Sequence, residues 1–187
     1  MELTLSERDI TNTVFSTSSG SAEYRTAKKT KAFGVSASTW IYKGIEQIGT
    51  VRVASWNKLD TVDVRGHTLH LYRTSFWSSS EAFIASDGRS YKWKLPSVTV
   101  NHVHAYASDN LMIVFIQLYS LENGHSKDMI AHYDNGSYGI FSRRRLPKLF
   151  IKPQGLCIVD EIVTTLVYML RLQEEERART LNRISSM

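Results

Sequence analysis

The most informative part of this sequence is residues 156–172, which read LCIVDEIVTTLVYMLRL. On a helix with 3.6 residues per turn, apolar side chains would cover most of the circumference, because two rows of four apolar residues lie side by side. The rows are Ile158, Ile162, Leu166 and Met169, and Val159, Val163, Val167 and Leu170. A helix that is apolar all round must be enclosed. The sequence therefore predicts a helix over about residues 158–183 that is surrounded by the rest of the chain.

The first half of this stretch is open to two interpretations. Asp160 and Glu161 suit the positive end of a helix dipole, whereas its many Val, Ile and Thr residues are moderate helix formers that also favour strands. We favour the helix. Its uninterrupted apolar part, residues 162–170, would be about 14 Å long against a bilayer core of about 30 Å. Protein, not lipid, is therefore its expected environment.

The sequence before this stretch predicts many short antiparallel strands. Asp87-Gly88, Asn123-Gly124 and Asn135-Gly136 are the sharpest turn signals, because glycine and asparagine tolerate positive φ angles. Strands are expected at residues 47–56, 61–65, 68–73, 83–86, 90–95, 97–106, 111–119, 128–133 and 137–142. Residues 111–119 are almost entirely apolar, which predicts a strand covered on both faces. Residues 20–31 are expected to form a loop or a weak edge strand.

Length and composition predict a single domain over residues 1–187, with its strands at about residues 2–152. The one cysteine, Cys157, excludes an intrachain disulfide framework and a cysteine-built zinc site. Its apolar neighbours predict a packed rather than a reactive thiol. The first residues lack the basic start and the apolar run of a secretory signal. We therefore expect an intracellular, cytoplasmic protein, with peripheral membrane attachment as an alternative.

Three segments carry a resemblance to a known family. They are residues 9–15, DITNTVF, residues 83–94, FIASDGRSYKWK, and residues 158–168, IVDEIVTTLVY, with Arg171 beyond. On these segments the chain resembles a family of uncharacterised small proteins from mushroom-forming fungi, assigned to the tubby-like superfamily together with LURP-one and scramblase-like proteins. The resemblance implies a mainly β fold with one long carboxyl-terminal helix (α+β). It further implies a closed antiparallel barrel of about twelve strands around that helix.

The basic residues of the chain are unevenly distributed. The net charge is +5, and residues 142–152 hold five basic side chains and no acidic one. Guanidinium groups suit phosphate, so this segment and a basic predicted strand are candidates for binding a phospholipid headgroup. The candidate ligand-binding residues are Arg143, Arg144, Arg145, Lys148, Lys92 and Lys94. The simpler interpretation is that they keep a connection and a strand face in water.

Other functional motifs are weak. His102 and His104 would project from one face of a strand, as two zinc ligands can, but no third ligand is identifiable. Aromatic residues beside Arg52, Arg73 and Lys92 resemble a stacking surface for nucleic acid, although we expect most of these rings in the core. The rings are Trp40, Trp56, Trp77, Trp93, Tyr24, Tyr72 and Tyr91.

The sequence thus predicts a non-enzymatic intracellular binding module. Tubby proteins bind phosphoinositides through basic surface residues, and the resemblance therefore implies an anionic membrane surface or a phosphoinositide as partner. No ligand residue of those proteins matches a position in this chain. A protein-protein interaction or an oligomeric scaffold is the first alternative, and an enzyme of unknown class is the second, although no catalytic motif is present. Nucleic acid is a weaker candidate partner, and neither a metal nor a cofactor is expected.

Overall fold

The computed structural model describes residues 1–29, 38–53, 59–73, 80–95, 115–122, 125–136 and 145–185. They are mainly β, with one long carboxyl-terminal helix, as predicted. The strands are β1 (Glu2–Leu5), β2 (Val14–Thr17), β3 (Ala22–Lys29), β4 (Ser38–Lys43), β5 (Glu46–Arg52), β6 (Thr61–Val64), β7 (His67–Leu69), β8 (Tyr72–Arg73), β9 (Glu81–Ile84), β10 (Ser90–Lys94), β11 (Phe115–Glu122), β12 (His125–Asp134) and β13 (Lys148–Ile151). A short 3-10 helix (Pro153–Ile158) leads into α1 (Val159–Ser185).

The described strands form one antiparallel sheet in the order β7-β6-β5-β4-β3-β2-β1-β13-β12-β11-β10-β9-β8. Strands that are consecutive in the chain pair with each other, except β7 and β8, and β1 also pairs with β13. Among the described residues no ladder joins β7 to β8, so the sheet has two edges. The prediction of about twelve strands in a closed barrel is therefore not confirmed. The single strand predicted over residues 68–73 is divided between the two edges.

The two edges of the sheet are nevertheless neighbours in the chain. β7 ends at Leu69 and β8 begins at Tyr72, so their Cα atoms lie at most about 11 Å apart. The sheet therefore curls until its ends nearly meet. β8 covers β9 only at Ala82 and Glu81. We call the gap between β7 and the uncovered residues 83–84 of β9 the seam.

The first half of helix α1 lies inside the curled sheet. Residues 161–169 are all buried. Strands from distant places in the sheet contact them: Trp93 Nε1 of β10 donates to Thr165 Oγ1 (2.9 Å), and Gly49 of β5 lies against Thr164. A Cβ atom on Gly49 would lie 2.9 Å from Thr164 Oγ1, so glycine permits this close approach. The predicted enclosed helix is confirmed, and the strand alternative is wrong.

The hairpin predicted at Asp87-Gly88 is confirmed. β9 and β10 flank the turn, Ala85 N–H donates to Arg89 O (3.0 Å), and β10 alternates between buried and half-buried residues. β11 and β12 also pair with each other, although their predicted turn lies outside the described residues. The strands predicted at residues 97–106 and 137–142 lie outside them as well.

The prediction for residues 20–31 is wrong. This segment contains β3, which pairs with β2 and with β4 and is therefore a central strand. Tyr24 and Thr26 point into the core, whereas Arg25 is exposed. Residues 23–26 alternate as strands with one face in solvent do, but the polar Thr26 at a buried position and the two lysines that end the strand concealed the pattern.

The prediction of a strand covered on both faces at residues 111–119 is also wrong where it is described. Ile116 and Leu118 are buried, but Gln117 and Tyr119 are only half-buried. Antiparallel sheets commonly keep one face in solvent, and the outer face of β11 follows that rule. Residues 111–114 lie outside the described part of the chain.

Candidate functional site

The predicted basic site is only partly described. Arg143 and Arg144 lie outside the described residues. Arg145 is exposed, and its carbonyl oxygen accepts a hydrogen bond from Arg8 Nη2 (3.3 Å). Lys148 lies on β13, and its Nζ is 2.6 Å from Glu2 Oε1. This ion pair, which the sequence did not predict, partly neutralises Lys148.

Lys92 and Lys94 lie on the outer face of β10. The strand register places Lys92 opposite Tyr119 and Lys94 opposite Gln117, both on β11. Lys94 Nζ is 4.5 Å from the centre of the Tyr119 ring, within the range of a cation–π contact. Both lysines are half-buried, as expected for side chains whose apolar stems lie along neighbouring residues.

The next two strands continue this outer face with aromatic rings. His132 of β12 lies opposite Phe150 of β13, and their rings stack at 4.5 Å between centres. Burial lowers the pKa of His132, which favours the neutral imidazole. Lys148 shares this face, because it is two residues before Phe150 on the same strand. We call the surface formed by these side chains the basic face; its members are Lys92, Lys94, Lys148, Tyr119, His132 and Phe150.

The structure brings the three described lysines of the predicted ligand-binding set, Lys92, Lys94 and Lys148, onto one surface. β10 and β13 are separated by β11 and β12 in the sheet, so the basic face spans three strand spacings of about 4.8 Å each. Side chains of Lys92 and Lys94 are thus within reach of the same anionic surface as Lys148. Arg145 and Lys152, both exposed, flank β13.

A second feature is a cavity of about 880 Å³ at the amino end of α1. One wall is the β6–β7 hairpin, the opposite wall is the end of β9 with the turn that follows it, and residues 156–161 close the base. The cavity therefore occupies the seam. Its polar groups come from α1 and from β3, β4 and the β6–β7 turn.

Asp160, in the first turn of α1, accepts hydrogen bonds from three sides of the cavity. Its Oδ1 accepts from Tyr24 OH (2.7 Å) and Lys43 Nζ (3.5 Å), and its Oδ2 accepts from Arg65 Nε (2.6 Å). Burial alone would raise the pKa of Asp160, but the hydrogen bonds and the two positive charges outweigh it and lower that pKa. Burial and the same hydrogen bond raise the pKa of Tyr24. The network therefore consists of a carboxylate, two cations and a neutral phenol.

Glu161 fixes the start of α1 to the opposite wall. Its Oε1 accepts a hydrogen bond from the backbone N–H of Ser86 (3.2 Å) and another from the Ser86 hydroxyl. Ser86 belongs to the turn between β9 and β10. Consecutive carboxylates of the helix thus bind both sides of the seam, which holds the cavity open around the helix terminus.

Arg65 reaches the helix from a strained turn. Arg65 and Gly66 connect β6 to β7, and their φ angles are 46° and 79°. Such angles are typical of two-residue hairpin turns, but they cost a residue with a side chain roughly 1 kcal/mol or more. The guanidinium also contacts Glu46 Oε1 (3.2 Å from Nη1). The hydrogen bond to Asp160 offsets this strain and directs the side chain into the cavity.

Local sequence pattern does not predict this network. The positions of Asp160 and Glu161 indicate only that they suit the helix dipole, and Arg65 is 95 positions away from Asp160. No local spacing links residues that far apart. One local signal was available in the Arg65-Gly66 pair. The first position of a two-residue turn favours Asn, Asp or Gly, so an arginine at that position indicates a side chain kept for a contact.

The aromatic rings are mostly in the core, as predicted, where they are described. The buried ones are Trp93, Tyr24 and Tyr91. Trp40 is half-buried beneath Lys29, whose Nζ is 3.9 Å from the ring centre, and Tyr72 is exposed. Residues outside the described part of the chain include Trp56, Trp77, His102 and His104. A stacking surface made of the predicted set is therefore not assembled by the described residues.

The prediction of a packed cysteine is wrong. Cys157 is exposed, and it lines the cavity. It lies in the 3-10 helix just before α1, where Gly155 and Ile158 face the core instead. The apolar neighbours that suggested burial are thus on another face of the same turn.

Among the described residues no helix combines the length and the apolar character that crossing a bilayer requires. No curated protein and no solved structure matches the chain significantly. One protein-family model matches residues 8–175, nearly the whole sequence. The match does not assign the chain to the tubby-like superfamily, and that relationship and a fungal source stay predictions. The chain belongs to DUF6593, a family of unknown function.

Proposed function

We propose that this protein is a non-enzymatic binding module that recognises anionic phospholipid headgroups through the basic face. The observation that carries the proposal is that Lys92, Lys94 and Lys148 share the outer side of adjacent strands with exposed parts of aromatic rings. Lysines supply attraction to an anionic surface, and rings with a polar edge suit its interface. Arg143 and Arg144 directly precede Arg145 in sequence; they lie outside the described residues and stay candidates by their charge alone.

The partners that each lysine already has within the protein decide which lysines contribute most to binding an anion. Lys148 is already paired with Glu2, so much of its charge is satisfied within the protein. Among the described residues, the contact found for the Lys94 ammonium group is the Tyr119 ring, which leaves its charge available to a phosphate. Lys92 and Lys94 therefore contribute the larger part of the binding free energy, at about 1 kcal/mol for each basic residue near an anionic membrane.

Vesicle sedimentation tests this function. Phosphatidylcholine vesicles with and without phosphoinositide are mixed with the protein at low and at physiological salt. We expect binding only to the phosphoinositide vesicles, stronger at low salt because salt screens exposed charges. The double variant Lys92→Gln/Lys94→Gln should bind roughly 30-fold more weakly, from the loss of about 1 kcal/mol per lysine.

The matched control is Lys28→Gln/Lys29→Gln on β3, which removes the same charge from two exposed residues six places from β10 in the sheet order. It should retain nearly all binding. Equal recovery of the wild-type protein in both supernatants would overturn the proposal, and so would an equal loss of binding in both double variants.

We also propose that the fold is a barrel of the tubby-like kind with an incompletely paired seam. Two observations support this. Antiparallel strands follow one another in sequence order around a buried carboxyl-terminal helix, and the two edge strands are separated by only two residues. In this proposal β8 closes one end of the seam, while the end beside β7 stays open at the cavity.

A further inference from the structure

The seam presents backbone groups of β9 that face away from its neighbour β10. In an antiparallel pair the N–H and C=O groups of alternate residues point to the same side. Ala85 N–H donates to Arg89 O. The backbone groups of Ala85 and Phe83 therefore point towards β10, and those of Ile84 point towards the seam. On the side of β9 that faces the seam, pairing with β8 ends at Ala82, which is opposite Tyr72.

The other side of the seam offers a matching edge. Val64 pairs with His67 across the two-residue turn, so the backbone of His67 faces β6 and the backbone of Thr68 faces away from it. β7 is the terminal strand of the described sheet. Edges with free donors and acceptors are templates for another strand. Two such edges, at Thr68 and Ile84, border the same cavity.

Apolar side chains lie at both edges, beside polar ones such as His67 and Ser86. Leu69 on one wall and Ile84 on the other both line the cavity, and Leu156 lies at its base. Ile84 is 57% exposed and Leu156 is 51% exposed. The volume of about 880 Å³ lies within the range of about 300 to 1,000 Å³ that is usual for ligand sites. An occupant with apolar side chains would remove these groups from water.

The charges of the cavity match an uncharged occupant. Lys43 is paired with Asp160 and Glu23, and Arg65 is paired with Asp160 and Glu46. Both cations are thus already neutralised, so the cavity has little attraction for an anion. Glu161 Oε1 accepts two hydrogen bonds from Ser86, which stabilise its charge within the protein. A peptide backbone with apolar side chains is uncharged, and it can pair with the backbone groups of both edges that have no strand partner in the described part of the chain.

We propose that the seam binds an extended, uncharged peptide segment of a partner protein, which adds as a strand along the edge at Ile84 and Thr68. Its apolar side chains contact Leu69, Ile84 and Leu156, and its backbone completes the sheet over the cavity. Main-chain bonds supply affinity in this mode, and pockets for alternate side chains supply specificity. The site is separate from the basic face and does not depend on lipid binding.

A displayed library of random nine-residue peptides is the probe. Selection on the full-length wild-type protein should enrich peptides with apolar residues at alternate positions. One enriched peptide, made synthetically with a fluorophore, should lose at least tenfold in affinity to Ile84→Lys, because a charged side chain at an edge opposes strand addition. The same peptide carrying N-methyl groups on the amides that face the seam should lose binding altogether.

The matched control is Ile184→Lys, at a residue that is 58% exposed near the end of α1. It should bind the peptide like the wild type. Thermal unfolding and circular dichroism of Ile84→Lys should match the wild type, because the side chain is exposed.

Hydrogen exchange resolved by NMR tests the proposal without a variant. The amides of Thr68 and Ile84 should exchange rapidly in the free protein and at least tenfold more slowly with the peptide bound. Failure to enrich any peptide, equal affinity for Ile84→Lys, or strong protection of both amides in the free protein would overturn the proposal. A dimer in light scattering that Ile84→Lys dissociates would overturn it too, since the occupant would then be a second copy.

Discussion

The two halves of α1 belong to one helix but have opposite surroundings. Residues 161–169 are buried and contact distant strands, whereas residues 176–185 are exposed. The first half is held by Trp93 through Thr165. The second half makes ion pairs near the surface, such as Arg73 with Glu176 (3.0 Å). The enclosed half therefore organises the sheet and the cavity, while the charged half extends the helix into solvent.

The largest difference between the halves is expected for leucine truncation. Leu166 is fully buried and Leu181 is 46% exposed. Leu166→Ala should lower the free energy of unfolding by about 2 to 5 kcal/mol, because it leaves a cavity at the centre of the sheet. Leu181→Ala should change it by less than about 0.5 kcal/mol. Urea unfolding measures both values, and equal effects would contradict the division of the helix.

The next largest difference is expected for carboxylates. Asp160→Asn should lower the free energy of unfolding by about 1 to 3 kcal/mol, because it weakens hydrogen bonds between charged groups in a partly buried network. Glu176→Gln in the second half removes a 3.0 Å pair with Arg73 in which both side chains are nearly half exposed, for which we expect about 0.5 kcal/mol. If Glu176→Gln is as harmful as Asp160→Asn, the network at the helix start has no special role.

The effect of Asp160→Asn should also depend on pH. The pKa of Asp160 is lower in the folded protein than in the unfolded chain, so the unfolded chain takes up its proton first as the pH falls. The stabilisation is therefore complete above the unfolded value of about 3.9 and is lost as the pH falls through the folded value. Urea unfolding between pH 7 and pH 3 should show a constant difference from the wild type down to about pH 5. A difference that increases towards acid would contradict this account.

Local pattern was sufficient for the enclosed helix and not for the site. The apolar circumference from Ile158 to Leu170 predicts enclosure because it is a property of one continuous segment. The contact between Arg65 and Asp160 joins segments 95 positions apart, and only the curling of the sheet brings them together. The spacing of residues in the sequence does not predict that curvature. β3 was missed for a different reason, since its buried Thr26 is polar.

For the lysines of the basic face, local pattern predicts the orientation of the side chains but not their ion pairs. Their alternation with buried residues on β10 predicts correctly that Lys92 and Lys94 face outward. The pairing of Lys148 with Glu2 depends on the contact between β13 and β1, which are at opposite ends of the strand sequence. Which charges remain available to a ligand is therefore a tertiary property that composition does not give.

The smallest expected effect tests whether the strained turn belongs to the enclosed half of the molecule. Arg65→Gly relieves a strain of roughly 1 kcal/mol at φ 46°, but it also removes the hydrogen bond to Asp160, so in the wild-type background the free energy of unfolding should change by less than about 1 kcal/mol. In the Asp160→Asn background the charged contact is already lost, and the same substitution should stabilise the protein by about 1 kcal/mol. The contact with Glu46 is exposed and contributes little in either background. The double-mutant cycle, measured by urea unfolding, gives the interaction free energy between Arg65 and Asp160. Equal effects in both backgrounds would mean that the turn stores strain without holding the start of the helix.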